Sequence, residues 1–88
     1  MTETKELTLG QRRVRMSFNP SSNYDVDNIK TKAAELIDLC EDFRKKLDEA
    51  GFNGTEEGKR DADIRRCLSL AQTHFEDAAM WAVKAVTG

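Results

Sequence analysis

The chain is poor in the residues that build metal sites, membrane spans and disulfide frameworks. Its 88 residues include one histidine, one proline and two cysteines, too few and too far apart for a zinc site. No run approaches the roughly 18 apolar residues of a transmembrane helix. The net charge of −2 lacks the basic excess typical of proteins that bind DNA or RNA. Metal, membrane and nucleic-acid partners are therefore not expected.

Signals for export and for catalysis are also missing. The first ten residues, MTETKELTLG, have no apolar core, so we expect no signal peptide, and Cys40 and Cys67 are expected to be reduced core thiols. His74 has no nucleophile paired with it and fits an interface histidine better than a general base. Glu76 and Asp77 point about 100° apart on a helix, which predicts a solvated surface. We expect neither an enzyme nor a cofactor-binding protein.

Two long segments repeat apolar residues at intervals of three or four, which predicts two helices. The first is expected to begin at a cap formed by Ser22 and Asp25 and to end at Gly51, a residue suited to a left-handed C-terminal cap. The second is expected to start near residue 57 or 61 and to reach Val86. Two long helices joined by a short glycine-rich loop pack antiparallel, so the sequence predicts an all-α hairpin. The apolar positions of the first helix are Val26, Ile29, Ala33, Leu36, Ile37, Cys40, Phe43 and Leu47.

Residues 1–20 are expected to form an N-terminal arm, and residues 21–88 the hairpin of one domain. In the arm, Val14, Met16 and Phe18 alternate with polar residues. This alternation predicts an extended segment that lies on an apolar surface.

The second helix carries two apolar stripes, although a two-helix protein needs only one to pack its helices together. The inner stripe consists of Ile64, Leu68, Ala71, Phe75, Ala79, Ala82 and Val86. The outer stripe consists of Cys67, Leu70, Ala78, Trp81 and Ala85, with His74 among them. We predict no further segment within these 88 residues that could cover the outer stripe. We therefore expect a helical homo-oligomer whose function lies where subunits meet.

Phe18, Asn19 and Lys30 depart from the apolar patterns, and all three lie close to the junction of the arm and the first helix. Phe18 and Asn19 end the arm, and Lys30 lies one to two turns inside the helix. An aromatic ring and a lysine are the minimal groups for a nucleotide, because one stacks on a base and the other pairs with phosphate. Simpler interpretations stay open: Phe18 could fix the arm to the helix, and Lys30 could be a surface lysine paired with Asp25 or Asp27.

Several stretches resemble a known family. RMSFNP at residues 15–20, Ile29-Lys30, ELIDL at residues 35–39 and AQTHFEDAAMWAVKA at residues 71–85 are similar to the small phage hairpin family of anti-CBASS and anti-Thoeris sponge proteins. Members of this family counter bacterial immunity by sequestering its cyclic nucleotide signals. The short, almost purely helical chain is closer to the anti-CBASS member.

The resemblance implies a homohexamer that acts in the cytoplasm of the infected bacterial host. It implies pockets between protomers for cyclic dinucleotides such as 3′,3′-cyclic GMP-AMP, and separate sites for cyclic trinucleotides. By position, Phe18 matches the base-stacking aromatic residue, Asn19 its polar neighbour and Lys30 the phosphate-binding lysine. Arg66 matches the arginine of the trinucleotide site, although its pattern alone fits a solvent-facing residue equally. The implied function is sequestration without cleavage.

The residues alone leave other functions open. An oligomeric adaptor that binds a host protein through an exposed helix face fits the stripes equally well. A sponge for the glycocyclic ADP-ribose signal of Thoeris immunity fits the same family. A nucleic-acid-binding dimer that uses the basic arm is disfavoured, because the acidic first helix would repel phosphates.

Overall fold

The computed structural model describes residues 6–16, 23–51 and 55–88, without the side chains of residues 55–58. Three helices follow one another in these ranges: α1 (Leu9–Arg13), α2 (Tyr24–Ala50) and α3 (Thr55–Thr87). Every regular element of the described ranges is helical, which confirms the predicted all-α class. Across those ranges, no helix has both the length and the apolar character needed to cross a bilayer.

The two ends of α2 differ in how well they were predicted. The predicted cap at Ser22 is wrong, because Asn23 caps the helix: its side-chain oxygen accepts from the backbone N–H groups of Asp25 at 2.8 Å and Val26 at 3.2 Å. The predicted end is confirmed. Gly51 adopts φ 62° and ψ 60° and donates its N–H to the Leu47 carbonyl at 3.3 Å, a conformation that glycine adopts without a Cβ penalty.

Polar contacts establish that α2 and α3 pack antiparallel. Near the loop, Arg65 Nη2 lies 2.6 Å from Asp48 Oδ1, and further along the hairpin Gln72 Nε2 donates to the Ile37 carbonyl at 3.1 Å. Gln72 is 2% exposed and accepts from Arg44 Nη2 at 2.8 Å. This buried amide is therefore satisfied, and sliding either helix by one residue would break its bonds. The predicted hairpin is confirmed.

The core lies where α1 meets the hairpin. Ile37 is fully buried there, and most of its buried neighbours are small, which allows the helices to approach closely. The buried cluster comprises Val14, Ala33, Ala34, Ile37 and Ala79, flanked by Leu9, Met16, Ile29 and Phe75.

Some predicted core positions are exposed in the single chain. Leu36 is 43% exposed and Phe43 is 48% exposed, because these side chains lie at the edge of the face that contacts α3. Both cysteines are free, but only Cys40 is half-buried, whereas Cys67 is exposed. The prediction of a core thiol is therefore wrong for Cys67, which belongs to the outer stripe.

The predicted extended arm is wrong for the described residues 9–16. Thr8 and Gln11 form a reciprocal capping box that starts α1, and Val14 ends it with helical dihedral angles. Val14 nevertheless points inward and is 7% exposed. Its alternation with polar neighbours is too short to distinguish a strand from a helical turn, and the capping box favours the turn.

Gly10 allows α1 to lie directly on α2. A Cβ atom at this position would overlap the backbone of Ala34, so a larger residue would push the helices apart. The Gly10 N–H also donates to Asp38 Oδ1 at 2.7 Å. The turn that follows α1 is therefore held beside Lys30.

Candidate functional site

Lys30 is a buried residue at the junction of α1 and α2. It is 6% exposed, and its Nζ donates to the Arg15 carbonyl at 2.8 Å. Burial lowers the pKa of Lys30 below 10.5, although Asp27 opposes the change and the Arg15 cation adds to it. The interpretation of Lys30 as a surface lysine is therefore wrong, while Asp27 does supply an attractive charge.

The carbonyl that Lys30 binds belongs to an uncommon backbone conformation. Arg15 has φ 56°, the left-handed region, which costs a non-glycine residue about 1–3 kcal/mol. Hydrogen bonds support this turn: Lys30 Nζ binds the Arg15 carbonyl, the Arg15 N–H donates to the Arg12 carbonyl at 3.2 Å, and the Met16 N–H donates to the Gln11 carbonyl at 2.9 Å. The lysine and the strained turn therefore hold each other in place.

A groove of about 460 Å³ opens beside this turn. Its residues come from α1 and the following turn, from α2 and from α3, and they combine three cations with an apolar wall. They are Arg13, Val14, Arg15, Lys30, Glu76, Ala79, Met80 and Val83. The volume falls in the range of roughly 300–1,000 Å³ that small-molecule sites occupy. The lining suits a ligand with flat apolar parts and negative charge.

An ion pair crosses the groove from α1 to α3. Arg13 Nε lies 2.7 Å from Glu76 Oε1, and Arg13 Nη2 donates to Thr73 Oγ1 at 3.4 Å. The prediction of a merely solvated Glu76 is therefore wrong. Sequence reasoning missed its role, although Glu76, Met80 and Val83 recur at the spacing of one helix face.

Arg66 does not line this groove. Phe18 and Asn19 lie outside the described residues, so their assignments stay predictions. Arg66 is exposed on α3, ten residues before Glu76, a separation of about 15 Å along the helix axis. Its role in a second, separate site also stays a prediction.

The outer stripe of α3 is exposed in the single chain. Leu70 is 46% exposed and Trp81 is 63% exposed, with Lys84 Nζ 5.4 Å from the centre of the indole ring. On α2, Leu39 adds another large exposed side chain at 64%. The inner stripe, by contrast, is buried or half-buried except at Val86. The hairpin therefore uses one stripe for its own packing and leaves the other uncovered.

Metal-binding geometry is absent from the part of the chain that the structure describes. No group of three or more histidine, cysteine, aspartate or glutamate side chains converges there in a way that could hold a metal ion. The groove therefore offers hydrogen bonds, charge and apolar surface to a ligand.

One comparison with known proteins is positive. The sequence pattern of the family described as "Acb2/Tad1, hairpin domain" matches residues 10–87. The matched segment begins at Gly10, where α1 contacts α2, and includes all the residues that line the groove. This is the anti-CBASS and anti-Thoeris sponge family, so the resemblance seen in the sequence is confirmed. No curated protein and no solved structure matches the chain.

Proposed function

We propose that the chain binds cyclic dinucleotides in the groove beside Lys30. The proposal starts from the family to which the chain belongs, the Acb2/Tad1 hairpin domain family of phage sponge proteins for cyclic nucleotide signals. The signal, such as 3′,3′-cyclic GMP-AMP, would be held and not cleaved. The observation that carries the proposal is the position of Lys30, a buried ammonium group in the wall of a groove between three helical segments.

The charges of the groove support an anionic ligand. A cyclic dinucleotide carries two phosphates, and the groove offers Arg13, Arg15 and Lys30 against the single carboxylate of Glu76. A charge-assisted hydrogen bond from a buried cation is stronger than one in water, because the local dielectric is low. The apolar wall of Ala79, Met80 and Val83 can cover a base. Phe18 and Asn19 would complete the site as the stacking ring and its polar neighbour.

The uncovered outer stripe supports assembly into a homohexamer. Covering a large apolar side chain contributes about 1.5–3 kcal/mol, and Leu70 and Trp81 both lie open on α3. The groove beside Lys30 is also open, so a second copy can close it around the ligand. An adaptor that binds a host protein through the same stripe is the alternative, and it predicts no affinity for cyclic nucleotides.

Arg66 would serve a different ligand class. Its exposed position on α3 lies away from the Lys30 groove, so we assign it to cyclic trinucleotides. Copies of one arginine that converge around a symmetry axis would concentrate positive charge on a ligand with three phosphates. This assignment rests on the family and on the exposure of the residue.

Calorimetric titration with 3′,3′-cyclic GMP-AMP tests the proposal. We expect saturable binding, and we expect chromatography to recover the intact ligand after heat denaturation of the protein. A parallel titration with a glycocyclic ADP-ribose compares the Thoeris class of signal. Absence of binding would refute the sponge assignment, and a linear dinucleotide formed in proportion to protein would make the chain an enzyme.

A further inference from the structure

The groove beside Lys30 contains a carboxylate, although the proposed ligand is an anion. Glu76 lines the groove, and its side chain is 34% exposed. A carboxylate repels phosphate, so a groove that bound only phosphate would be stronger without it. Its ion pair with Arg13 leaves acceptor positions on the carboxylate unused by that bond, and these suit a part of the ligand that donates hydrogen bonds.

The charged groups of the groove form two separate pairs. Lys30 and Arg15 belong together, because Lys30 Nζ binds the Arg15 carbonyl at 2.8 Å and the Arg15 cation lies close enough to affect its pKa. Glu76 instead binds Arg13, at 2.7 Å. Phosphate is attracted to the first pair, because its two positive charges outnumber the single negative charge of Asp27, which also acts on Lys30. The second pair is neutral overall and suits an uncharged polar group.

The apolar wall of the groove lies on the same side of α3 as Glu76. Ala79, Met80 and Val83 follow Glu76 by three, four and seven residues on α3, so these side chains lie on the same side of the helix. All of them line the groove. A base that lies on this wall would bring its polar edge to the Glu76 carboxylate.

We propose that Glu76 selects guanine over adenine in the ligand, an inference that rests on the proposed function. The Watson–Crick edge of guanine presents two adjacent N–H donors, N1–H and N2–H, and an ionised carboxylate is an acceptor only. Adenine presents one donor beside the N1 acceptor, whose lone pair would face the carboxylate. Two carboxylate oxygens accept about four hydrogen bonds, so Arg13 can stay bound and hold Glu76 in position.

Titration of wild type and Glu76→Gln with cyclic di-GMP and cyclic di-AMP tests this inference. Wild type should bind cyclic di-GMP at least about tenfold more tightly, the discrimination expected of a bidentate contact to a base edge. Glu76→Gln should lose most of that preference, because cyclic di-GMP binds more weakly while cyclic di-AMP binds equally well or more tightly. The glutamine amide can donate to adenine N1 and accept from the N6–H group, which a carboxylate cannot do. Glutamine has the same size and can still accept from Arg13, so α1 should stay docked.

Glu41→Gln is the matched control. Glu41 also forms a half-buried ion pair, with Arg44 at 3.3 Å, and its side chain is 32% exposed, but it lies outside the groove. Its substitution should leave both affinities unchanged. Equal losses for both ligands in Glu76→Gln, or no preference in wild type, would overturn the inference and leave the proposed function standing. Failure of wild type to bind either ligand would overturn the proposed function itself.

Discussion

Lys30 and Arg66 are the basic residues that define the two proposed sites, and they differ in burial. Lys30 is 6% exposed and tied to the Arg15 carbonyl at 2.8 Å. Arg66 is exposed on α3, about 15 Å along the helix from Glu76. The single chain therefore already orders the Lys30 side chain, whereas the position of the exposed Arg66 side chain depends on what surrounds it.

This difference has an energetic consequence. Ordering a long side chain on binding costs about 0.5–1.5 kcal/mol. At Lys30 the side chain is already ordered in the folded chain, because the turn after α1 holds its ammonium group. The Arg66 side chain would be ordered only when copies assemble or when the ligand binds. Dinucleotide binding should consequently depend on the packing of α1, and trinucleotide binding on contacts between copies.

Trp81→Glu should have the largest effect, because it removes the assembly that both proposed sites share. Trp81 is 63% exposed in the single chain, so the hairpin should still fold while the oligomer dissociates, and stability coupled to assembly should fall. Light scattering measures the mass, and calorimetry measures both ligand classes. Lys59→Glu, at an exposed residue near the other end of α3, introduces a carboxylate but keeps the indole and should still assemble. A wild-type chain that is a well-folded monomer at micromolar concentration would contradict the prediction.

Lys30→Met should lower cyclic dinucleotide affinity by about two to four orders of magnitude. Each lost charge-assisted contact is worth about 1.5–3 kcal/mol, and a twofold pocket loses two of them at once. Methionine keeps the buried stem, and unfolding curves check that the fold survives loss of the bond to Arg15. Lys32→Met is the matched control, since Lys32 is exposed on the same helix. Wild-type affinity in an assembled Lys30→Met variant would show that the pocket lies elsewhere.

Arg66→Ala should weaken cyclic trinucleotide binding by about tenfold or more and leave dinucleotide binding within about twofold. Each lost charge-assisted contact is worth about 1.5–3 kcal/mol, so a single one already accounts for about tenfold. About 15 Å of helix separates this residue from Glu76 in the groove. Arg60→Ala, at another exposed arginine on α3, should change neither affinity. Equal losses for both ligand classes would mean that the two sites are not separate.

Gly10→Ala should destabilise the fold by about 1–3 kcal/mol and weaken dinucleotide binding more than trinucleotide binding. The added methyl group would overlap the Ala34 backbone, and such overpacking forces backbone shifts. Gly51→Ala is the comparison variant, because it strains a left-handed residue with open space around it. It should lower the thermal midpoint without changing ligand affinity. Unfolding curves and titrations of both variants decide whether α1 docking matters to the site.

The smallest effect should be a pH dependence that distinguishes Lys30 from Arg66. Because burial lowers the pKa of Lys30 below 10.5, the unfolded chain holds this proton to higher pH than the folded chain does. Between the lowered pKa and 10.5, this group should therefore raise stability as pH rises. Dinucleotide affinity should fall over the same range, because the neutral amine pairs weakly with phosphate. Unfolding midpoints and cyclic dinucleotide affinities of wild type and Lys30→Met, compared across this pH range, measure the two pH dependences. A contribution to stability that falls with pH, or an affinity that rises with pH, would contradict the assignment.

Local rules predicted much of the hairpin and little of the groove. Helical spacing located α2 and α3, and Gly51 marked the end of α2 because glycine adopts left-handed angles at low cost. The groove depends on contacts between residues distant in sequence, such as Arg13 with Glu76 and Arg15 with Lys30. Neither pair has a spacing that a local pattern could reveal. The backbone of residues 9–16 is set in the same way, since short alternation leaves the choice between strand and helical turn to tertiary packing.

By itself, the sequence determined the all-α class, the two long helices, the surplus apolar stripe of α3 and the family, since each follows from residue order along one chain. Only the tertiary structure decided that Lys30 is buried, that Glu76 faces the groove and that α1 rests on α2 through Gly10. Burial and charge pairing depend on which surfaces meet in space. A periodic pattern predicts which face of a helix is apolar. The packing of the three helices decides which polar groups are buried beside that apolar face.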